Sequence, residues 1–399
     1  MKPKKDVAFL CQFFYPEYIS SATLPFDIAK RYAKAGYSVG ALCGYPYEYF
    51  DKKVPCNETI ENIEIKRLKY LKLKRSSKLG RLLNYFSFIM KAWIHIRYLK
   101  NYKTVIVFSN PPLLPWIAKM AKKRYGCRLI FVAYDLYPEI ALQTQTITSG
   151  GAIHKIMEKV NKVFYANADA VVALSNEMRE FIIQNREIHP NKVCVIPNWY
   201  KDEYNEFEII TVNDIIKPFA NKIVVSYLGN MGTCQDIETL LKAAKVLEKD
   251  DRFIFLFAGH GNKVERIKEE IQKGAKNLVY YDFLHGLDYL SVLKITSYAV
   301  VSLEKGLHGL CVPSKTYAYM MYNKPLICIM DDKSDIAQDV LVTNSGIVVK
   351  NGESCKIASY LQEGEHSANI RVQYLKKYTP DVTLAQYEEL LSCILKADQ

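Results

Sequence analysis

No uninterrupted apolar run in this 399-residue sequence approaches the roughly 20 residues that span a bilayer, so no transmembrane anchor is expected. The opening "MKPKKDVAFLCQFFYPEY" supplies only about seven apolar residues before Tyr15-Pro16-Glu17 and no small-residue cleavage site, which argues against a secretory leader. Ten cysteines are scattered without one C-x-x-C pair, so the zinc-ribbon and dithiol redox patterns are absent. Several of them sit in strand-like runs such as "VAFLCQFF" and "PLICIM", and are expected to be small buried apolar residues of a reducing compartment. The phosphate-cradling pattern G-x-x-x-x-G-K-[ST] is missing, which excludes a P-loop kinase. There is no low-complexity tail, zinc knuckle, RNP signature or basic heptad helix, so nucleic acid is not the expected partner. The expected location is cytoplasmic, with peripheral contact to the inner face of the plasma membrane left open.

What is present is a soluble globular composition, 49% apolar and 24% charged, on a chain long enough for two cores. The balance is basic, with 54 Lys+Arg against 42 Asp+Glu and a net charge of +12. Phosphorylated substrates, an anionic membrane face or nucleic acid would all answer such a charge. Lys66 to Arg81, "KRLKYLKLKRSSKLGR", holds eight of these cations and no acid. The segment after it, "LLNYFSFIMKAWIHIRYL", is apolar and aromatic, and reads either as a core-facing helix or as one lying flat on an anionic bilayer.

Short apolar, β-branched runs alternate with helix-period segments almost from end to end. Runs at 7–14, 38–44, 63–70, 104–109, 128–134, 169–175 and 192–198 form a first set. Runs at 222–229, 252–259, 277–281, 298–303, 325–330 and 345–350 form a second. Several are apolar throughout, which suits parallel strands covered on both faces. The acidic, irregular stretch 201–221 separates the sets. The chain therefore predicts an α/β protein with an N-terminal domain over 1–200, a linker over 201–221 and a C-terminal domain over 222–380. A helix over 381–398 closes it. Ligands of such folds sit outside the carboxyl ends of the strands.

Six places there are candidates for chemistry. In "YLGNMGTCQDIETLL", Gly229, Asn230 and Gly232 form a turn between strand and helix. Its amides could approach a phosphate, or its glycines could serve only positive φ. In "FAGHGNKVERI", Gly259 and Gly261 suggest a dinucleotide fingerprint, but Val264 stands where the third small residue belongs, which disfavours a nicotinamide enzyme. In "CVPSKTYAYMM", Pro313 or Ser314 would open a short helix whose first turn carries Lys315, a cation suited to a diphosphate. In "FVAYDLYPEIA", Asp135 and Glu139 follow a buried strand, where a carboxylate can orient a hydroxyl, act as a base, or cap a helix. Asn198 and Trp199 in "VIPNWY" follow the last strand of that domain, where the Trp199 ring could stack on a sugar or close the core. Ser20, Ser21 and Ala22 leave room at the start of the first helix for a ligand to approach the backbone.

Taken in order, "FFYPEYISSATLPFDIAKRYAKAGYSV", "DLYPE", "VIPNW", "YLGNMGTCQDIETLLKAA", "FAGHGNKVERIK" and "VPSKTYAYMMYNKPLI" resemble the family 4 glycosyltransferases of the GT-B fold. More narrowly, they are similar to the bacterial branch that builds O-antigen and capsule sugars and includes N-acetylfucosaminyl transferases. The resemblance implies two Rossmann-like domains facing a cleft, with the C-terminal helix, about 381–399, returning to the N-terminal domain. It implies retaining transfer with no obligatory metal or cofactor. By resemblance, a UDP-sugar donor of N-acetylhexosamine type would meet Ser20, Ser21, Gly229, Asn230, Gly232, His260, Gly261, Phe283, Leu284, Pro313, Ser314 and Lys315. Asp135 and Lys315 would stand at the reacting centre. A glycan acceptor, carried on a polyprenyl diphosphate, would meet Glu139, Asn198 and Trp199. Three departures stand out. The Arg and Lys that many members carry in and after the glycine turn are Asn230 and Gln235 here, which makes Lys315 the candidate cation. The paired glutamates of many members are Leu310 and Ala318, with Glu304 out of register. A histidine common after the first-domain strand is Asp135. A UDP-sugar 2-epimerase on the same scaffold is the alternative reading.

Overall fold

A computed structural model describes residues 3–47, 52–73, 78–201, 216–219, 221–364 and 366–396. The chain divides into two compact units. Residues 1–174, 178–196 and 383–399 form the first, and 175–177 with 197–382 form the second.

The first unit is built on strands β1 (Lys5–Cys11), β2 (Val39–Gly44), β3 (Asn57–Ile60), β4 (Ile63–Leu68), β5 (Tyr102–Phe108), β6 (Arg128–Ala133), β7 (Ala170–Ala173) and β8 (Val193–Val195). They lie in the order β3-β4-β2-β1-β5-β6-β7-β8. Every pairing is parallel except β3 with β4, which is antiparallel. The apolar runs explain this. β2 and β7 are buried at every residue, as strands covered on both faces must be. Helices that bear on function here are α1 (Ser20–Lys34), α2 (Lys78–Ile94), α3 (Leu114–Tyr125) and α4 (Glu139–Gln143). α1 starts at Ser20, and Gly36 follows its end at φ +89°, where glycine escapes the Cβ penalty.

The last helix, Pro380–Lys396, belongs to the first unit from Thr383 onward. The Tyr32 hydroxyl of α1 donates to the Tyr387 carbonyl at 2.8 Å, in the interior. Arg31 Nε pairs with Glu388 at 2.6 Å. Thr383, Tyr387 and Leu391 are buried along one face of that helix.

The second unit carries β9 (Ile223–Leu228), β10 (Phe253–Ala258), β11 (Leu278–Tyr281), β12 (Thr296–Ser302), β13 (Leu326–Ile329) and β14 (Gly346–Val349). Their order is β11-β10-β9-β12-β13-β14, all parallel. Its core packs Tyr227, Leu240, Phe255, Phe257, Ile267, Val300 and Ile327 against one another.

The first unit's strand-bearing part ends at Ile196 rather than at residue 200, so Asn198 and Trp199 go with the second unit. Most of the expected linker, 202–215 and 220, lies outside the described residues. Cys11, Cys43 and Cys328, which sit in strand runs, are buried as expected, whereas Cys355 and Cys393, which lie in helices, are exposed. All ten are free thiols, and desolvation pushes that of Cys43 up to about 12.

Candidate functional site

In each sheet the connections change direction at one place, and there the crevice at the carboxyl ends opens. In the second sheet that place lies between β9, the first strand of the unit in chain order, and β12. The turn after β9 and the loop after β12 meet there.

The turn is held by its neighbour after β10. Gly229 N–H donates to Ala258 O at 2.7 Å, Met231 N–H to His260 O at 2.7 Å, and Lys263 N–H to Met231 O at 3.0 Å. A Cβ on Gly259 would strike the Gly229 carbonyl, and one on Gly261 would strike the Met231 carbonyl. Both have φ near +145° (145° and 143°). These two glycines are therefore required by loop-on-loop packing as well as by their backbone angles. Gly229, φ +118°, serves a different need: a Cβ there would lie 3.7 Å from Lys315 Cε. The lysine stem crosses directly over it.

Lys315 is the first residue of the helix Lys315–Met321. Ser314 stands at the cap position, but its side chain makes no capping hydrogen bond, and Thr316 instead donates to the Pro313 carbonyl at 2.8 Å. The Lys315 Nζ lies 3.4 Å above the centre of the Tyr227 ring and 3.4 Å from the Asn230 carbonyl. It pairs with no carboxylate among the described residues. Loss of hydration holds its ammonium well below the ordinary lysine range. A half-buried cation with no carboxylate partner among the described residues is a group suited to take an anion. Pro313 is buried and Ser314 exposed at the same lip.

Residues that the sequence reading passed over complete the arrangement. Tyr227, inside a strand run, supplies the π face beneath the ammonium, and its hydroxyl donates to Asn230 O at 3.2 Å. Lys263 Nζ donates to the Gln235 carbonyl at 2.6 Å and forms an ion pair with Glu304. A cation thus stands at the backbone of Gln235, where the sequence had shown no lysine, because it arrives from the loop after β10. The Gln235 side chain accepts from Gly232 N–H at 3.0 Å, so that amide is occupied by an internal acceptor. Asp236 caps the first turn of the helix Glu238–Val246 by accepting from Thr239 N–H at 2.9 Å.

Beside this cluster three rings gather at the ends of β10 and β11. His260 and Phe283 stand edge to face at 5.5 Å, and Phe283 stacks with His285 at 6.4 Å. Phe283 is 47% exposed, too open for a core residue of its size. Leu284 is half-buried next to it. An exposed aromatic shelf of this kind suits a planar base. His285 gave no signal in sequence, because the register of the loop decides whether it joins the shelf.

In the first unit the change of direction falls between β1 and β5. Ser20 is exposed and Ser21 half-buried at the start of α1. Gln12, just past β1, is 1% exposed, and both ends of its side-chain amide lack a partner among the described residues. That is a position for a water or a ligand group. Asp135, past β6, takes its backbone hydrogen bond from N–H to Ser109 Oγ at 3.0 Å and caps no helix. Desolvation raises its carboxyl to about 6. Glu139 is committed to Arg186 at 2.6 Å, and that guanidinium lies between the rings of Tyr165 and Phe181. Trp199 is 5% exposed and Asn198 6%, and the Tyr317 phenol hydrogen-bonds to the backbone of Asn198. The expected acceptor contacts Glu139, Asn198 and Trp199 therefore have structural partners, whereas Asp135 has a free carboxylate edge.

Comparison with known proteins follows the same lines. Residues 22–204 match the profile of Glycosyltransferase Family 4. The sequence is 26% identical over 249 residues to "Probable glycosyltransferase WbjE" of Pseudomonas aeruginosa, covering 61% of each chain. The aligned part thus spans less than two thirds of that relative's length. Among solved structures, sucrose-phosphate synthase from Thermosynechococcus elongatus superimposes with a TM-score of 0.74 at 15% identity, over 98% of this chain and 100% of that one. Anabaena Alr3699/HepE, solved in complex with UDP-glucose, gives 0.67 at 16% identity, over 98% and 100%. The fold is GT-B.

Proposed function

We propose that this chain, with the Glycosyltransferase Family 4 pattern across residues 22–204 and a GT-B fold, is a retaining glycosyltransferase. It takes a sugar of N-acetylhexosamine type from a UDP donor and passes it to a glycan acceptor of a bacterial surface polysaccharide, O-antigen or capsule. The observation that carries this reading is the half-buried Lys315 ammonium, unpaired with any acid among the described residues and poised over the Gly229–Asn230 turn. A diphosphate is an anion whose size and charge answer a half-buried cation at a strand-to-helix turn.

In the proposed reaction the bond from the anomeric carbon to the β-phosphate oxygen breaks and negative charge grows on the departing diphosphate. Lys315 and the Gly229–Asn230 turn stabilise that charge, with Lys263 as a second cation held in reserve by Glu304. Phe283, with His260 and His285, supports the uracil. Asp135, ionised at neutral pH, serves the acceptor hydroxyl, and Ser20, Ser21 and Gln12 take hydroxyls at the same end of the first sheet. An acceptor on a polyprenyl diphosphate would bring the enzyme to the inner face of the plasma membrane.

The test is a thermal-shift series with UDP, other nucleoside diphosphates and an oligonucleotide, followed by a UDP-sugar panel read by mass spectrometry with and without acceptor glycans. Stabilisation by UDP and acceptor-dependent loss of one donor are expected. Stabilisation by the oligonucleotide alone would overturn the reading. Isomerised UDP-sugar formed without acceptor would replace it with an epimerase.

A further inference from the structure

The helix α2 is apolar on two opposite faces. Phe88 and Ala92 point inward and are fully buried. Leu82, Leu83, Phe86, Met90, Trp93 and Ile94 point outward, with Leu82 59%, Phe86 57% and Ile94 64% exposed. Their spacing follows one helical stripe. A helix that only covered a core would carry charge on that stripe, and between Leu82 and Ile94 the only charged residue is Lys91. The stripe continues onto α3 through Trp116, so two of the chain's three tryptophans stand here. Ile89, Met90, Trp93, Ile94, Trp116 and Ile117 line a cavity of about 240 Å³ with almost wholly apolar walls.

Charge decides what covers this face. Residues 65–134 contain 17 Lys+Arg and no Asp or Glu, leaving the other 329 residues with 37 Lys+Arg against 42 Asp+Glu. The chain's entire positive excess therefore lies in the segment that bears the apolar stripe. Within this segment Lys69, Lys72, Lys91, Arg97, Lys100, Lys123 and Arg124 are exposed, and Lys119 lies 4.8 Å over the Trp116 ring. Aliphatic side chains flanked by cations and tryptophans match a bilayer, where tails take the apolar groups and headgroups the charges. Leu82, Leu83, Met90 and Ile94 offer a nucleic acid neither stacking faces nor donors. Among the described residues no helix is long and apolar enough to cross a membrane, so α2 would lie in its surface.

We infer that the α2–α3 face is a membrane-docking surface selective for anionic phospholipid, with α2 seated in the headgroup layer and the cavity admitting the end of one acyl chain. The inference deepens the lipid-linked part of the proposed function. It can fail while sugar transfer stands, because the test uses vesicles that contain no glycan.

The full chain is floated with vesicles of phosphatidylcholine alone and with vesicles in which a third of the lipid is phosphatidylglycerol. Binding to the second only, weakening as salt rises, is expected. The variant Phe86→Ser/Met90→Ser/Ile94→Ser should lose at least about tenfold in partitioning. Each of Lys72→Gln, Lys91→Gln and Lys119→Gln should lose about fivefold. All of these positions lie outside the donor site, so circular dichroism and the UDP-induced thermal shift should stay unchanged, which separates lost docking from lost folding. No flotation with anionic vesicles at low salt, or flotation unaffected by the triple serine variant, overturns the inference. So would a dimer, or an oligonucleotide complex, that the same variant dissolves, since either would name a different occupant.

Discussion

Replacing Lys315 by Met tests the electrostatics of the donor site directly. The stem keeps its length, so the path over Gly229 stays filled, and only the charge is removed. In the folded protein the ammonium is partly withdrawn from water and has two partners, the Tyr227 ring and an Asn230 carbonyl, each at 3.4 Å. A desolvated cation–π contact contributes up to about 2 kcal/mol, but a carbonyl at that range is well beyond a strong charge-assisted bond. No carboxylate offsets the remainder. Lys315→Met should therefore raise the thermal midpoint of the ligand-free protein, by about 2–4 °C for each kcal/mol recovered in a unit of this size. The pH dependence has a definite sign. The folded-state ammonium titrates below its unfolded value, so the folded state binds fewer protons than the unfolded one between those two values. Stability from this group rises with pH across that window, and the Met variant should lose that rise. With UDP the order reverses. One charge-assisted contact is worth about 1.5–3 kcal/mol, so the variant should bind UDP about 10- to 150-fold more weakly by calorimetry. Turnover should fall about 10²- to 10³-fold. Tyr227→Phe keeps the ring face and should keep most UDP affinity, whereas Tyr227→Leu should lose part of it. A Met variant that binds UDP within twofold of the parent, or melts several degrees lower without ligand, would refute the assignment and make Lys315 a structural residue.

Other outcomes are equally definite. Gln235→Ala frees the Gly232 amide from its internal acceptor and should tighten UDP binding by about two- to tenfold, the worth of one neutral hydrogen bond; looser binding would mean Gln235 itself contacts the ligand. Asp135→Asn should abolish a fall in kcat that the parent shows below about pH 6. Because that carboxyl titrates above its unfolded value, its burial is unfavourable once pH exceeds about 6 and neutral below about 4, so the Asn variant should also be the more stable one at pH 7 but not at pH 3.5. Tyr32→Phe removes the interior hydrogen bond to the Tyr387 carbonyl and should lower unfolding stability by about 0.5–1.5 kcal/mol in a urea titration.

The sheets were legible because parallel strands covered on both faces leave unbroken apolar runs. Each run read in the sequence contains a strand, from Lys5–Cys11 to Gly346–Val349. The exception, Asn57–Ile60, is an antiparallel edge strand of Asn, Glu, Thr and Ile whose residues are exposed or only half-buried, so no burial pattern marked it. Site residues that follow a strand in sequence, Gly229, Asp135 and Lys315, could be read from position alone. Those that act across loops could not. Lys263 reaches Glu304 from 41 residues away in the chain, and Arg186 reaches Glu139 from 47. Nothing local says that a lysine has been replaced from a neighbouring loop or that a glutamate is already taken. The same holds for Trp199, whose burial in the second unit depends on which core claims an aromatic standing at the boundary.

The seat that α1 offers to Tyr387 has a bearing on biosynthesis. Strand β8 ends at Val195, yet the helix that fills the seat begins to contribute only at Thr383. At ribosomal rates of roughly 5–20 residues per second, the interval is roughly 10–40 s. Throughout it the nascent first half holds a tyrosine hydroxyl and an apolar groove open to whatever is nearby. The unit synthesised first is thus the one finished last, and shortening the C-terminus would strike the opposite end of the polypeptide.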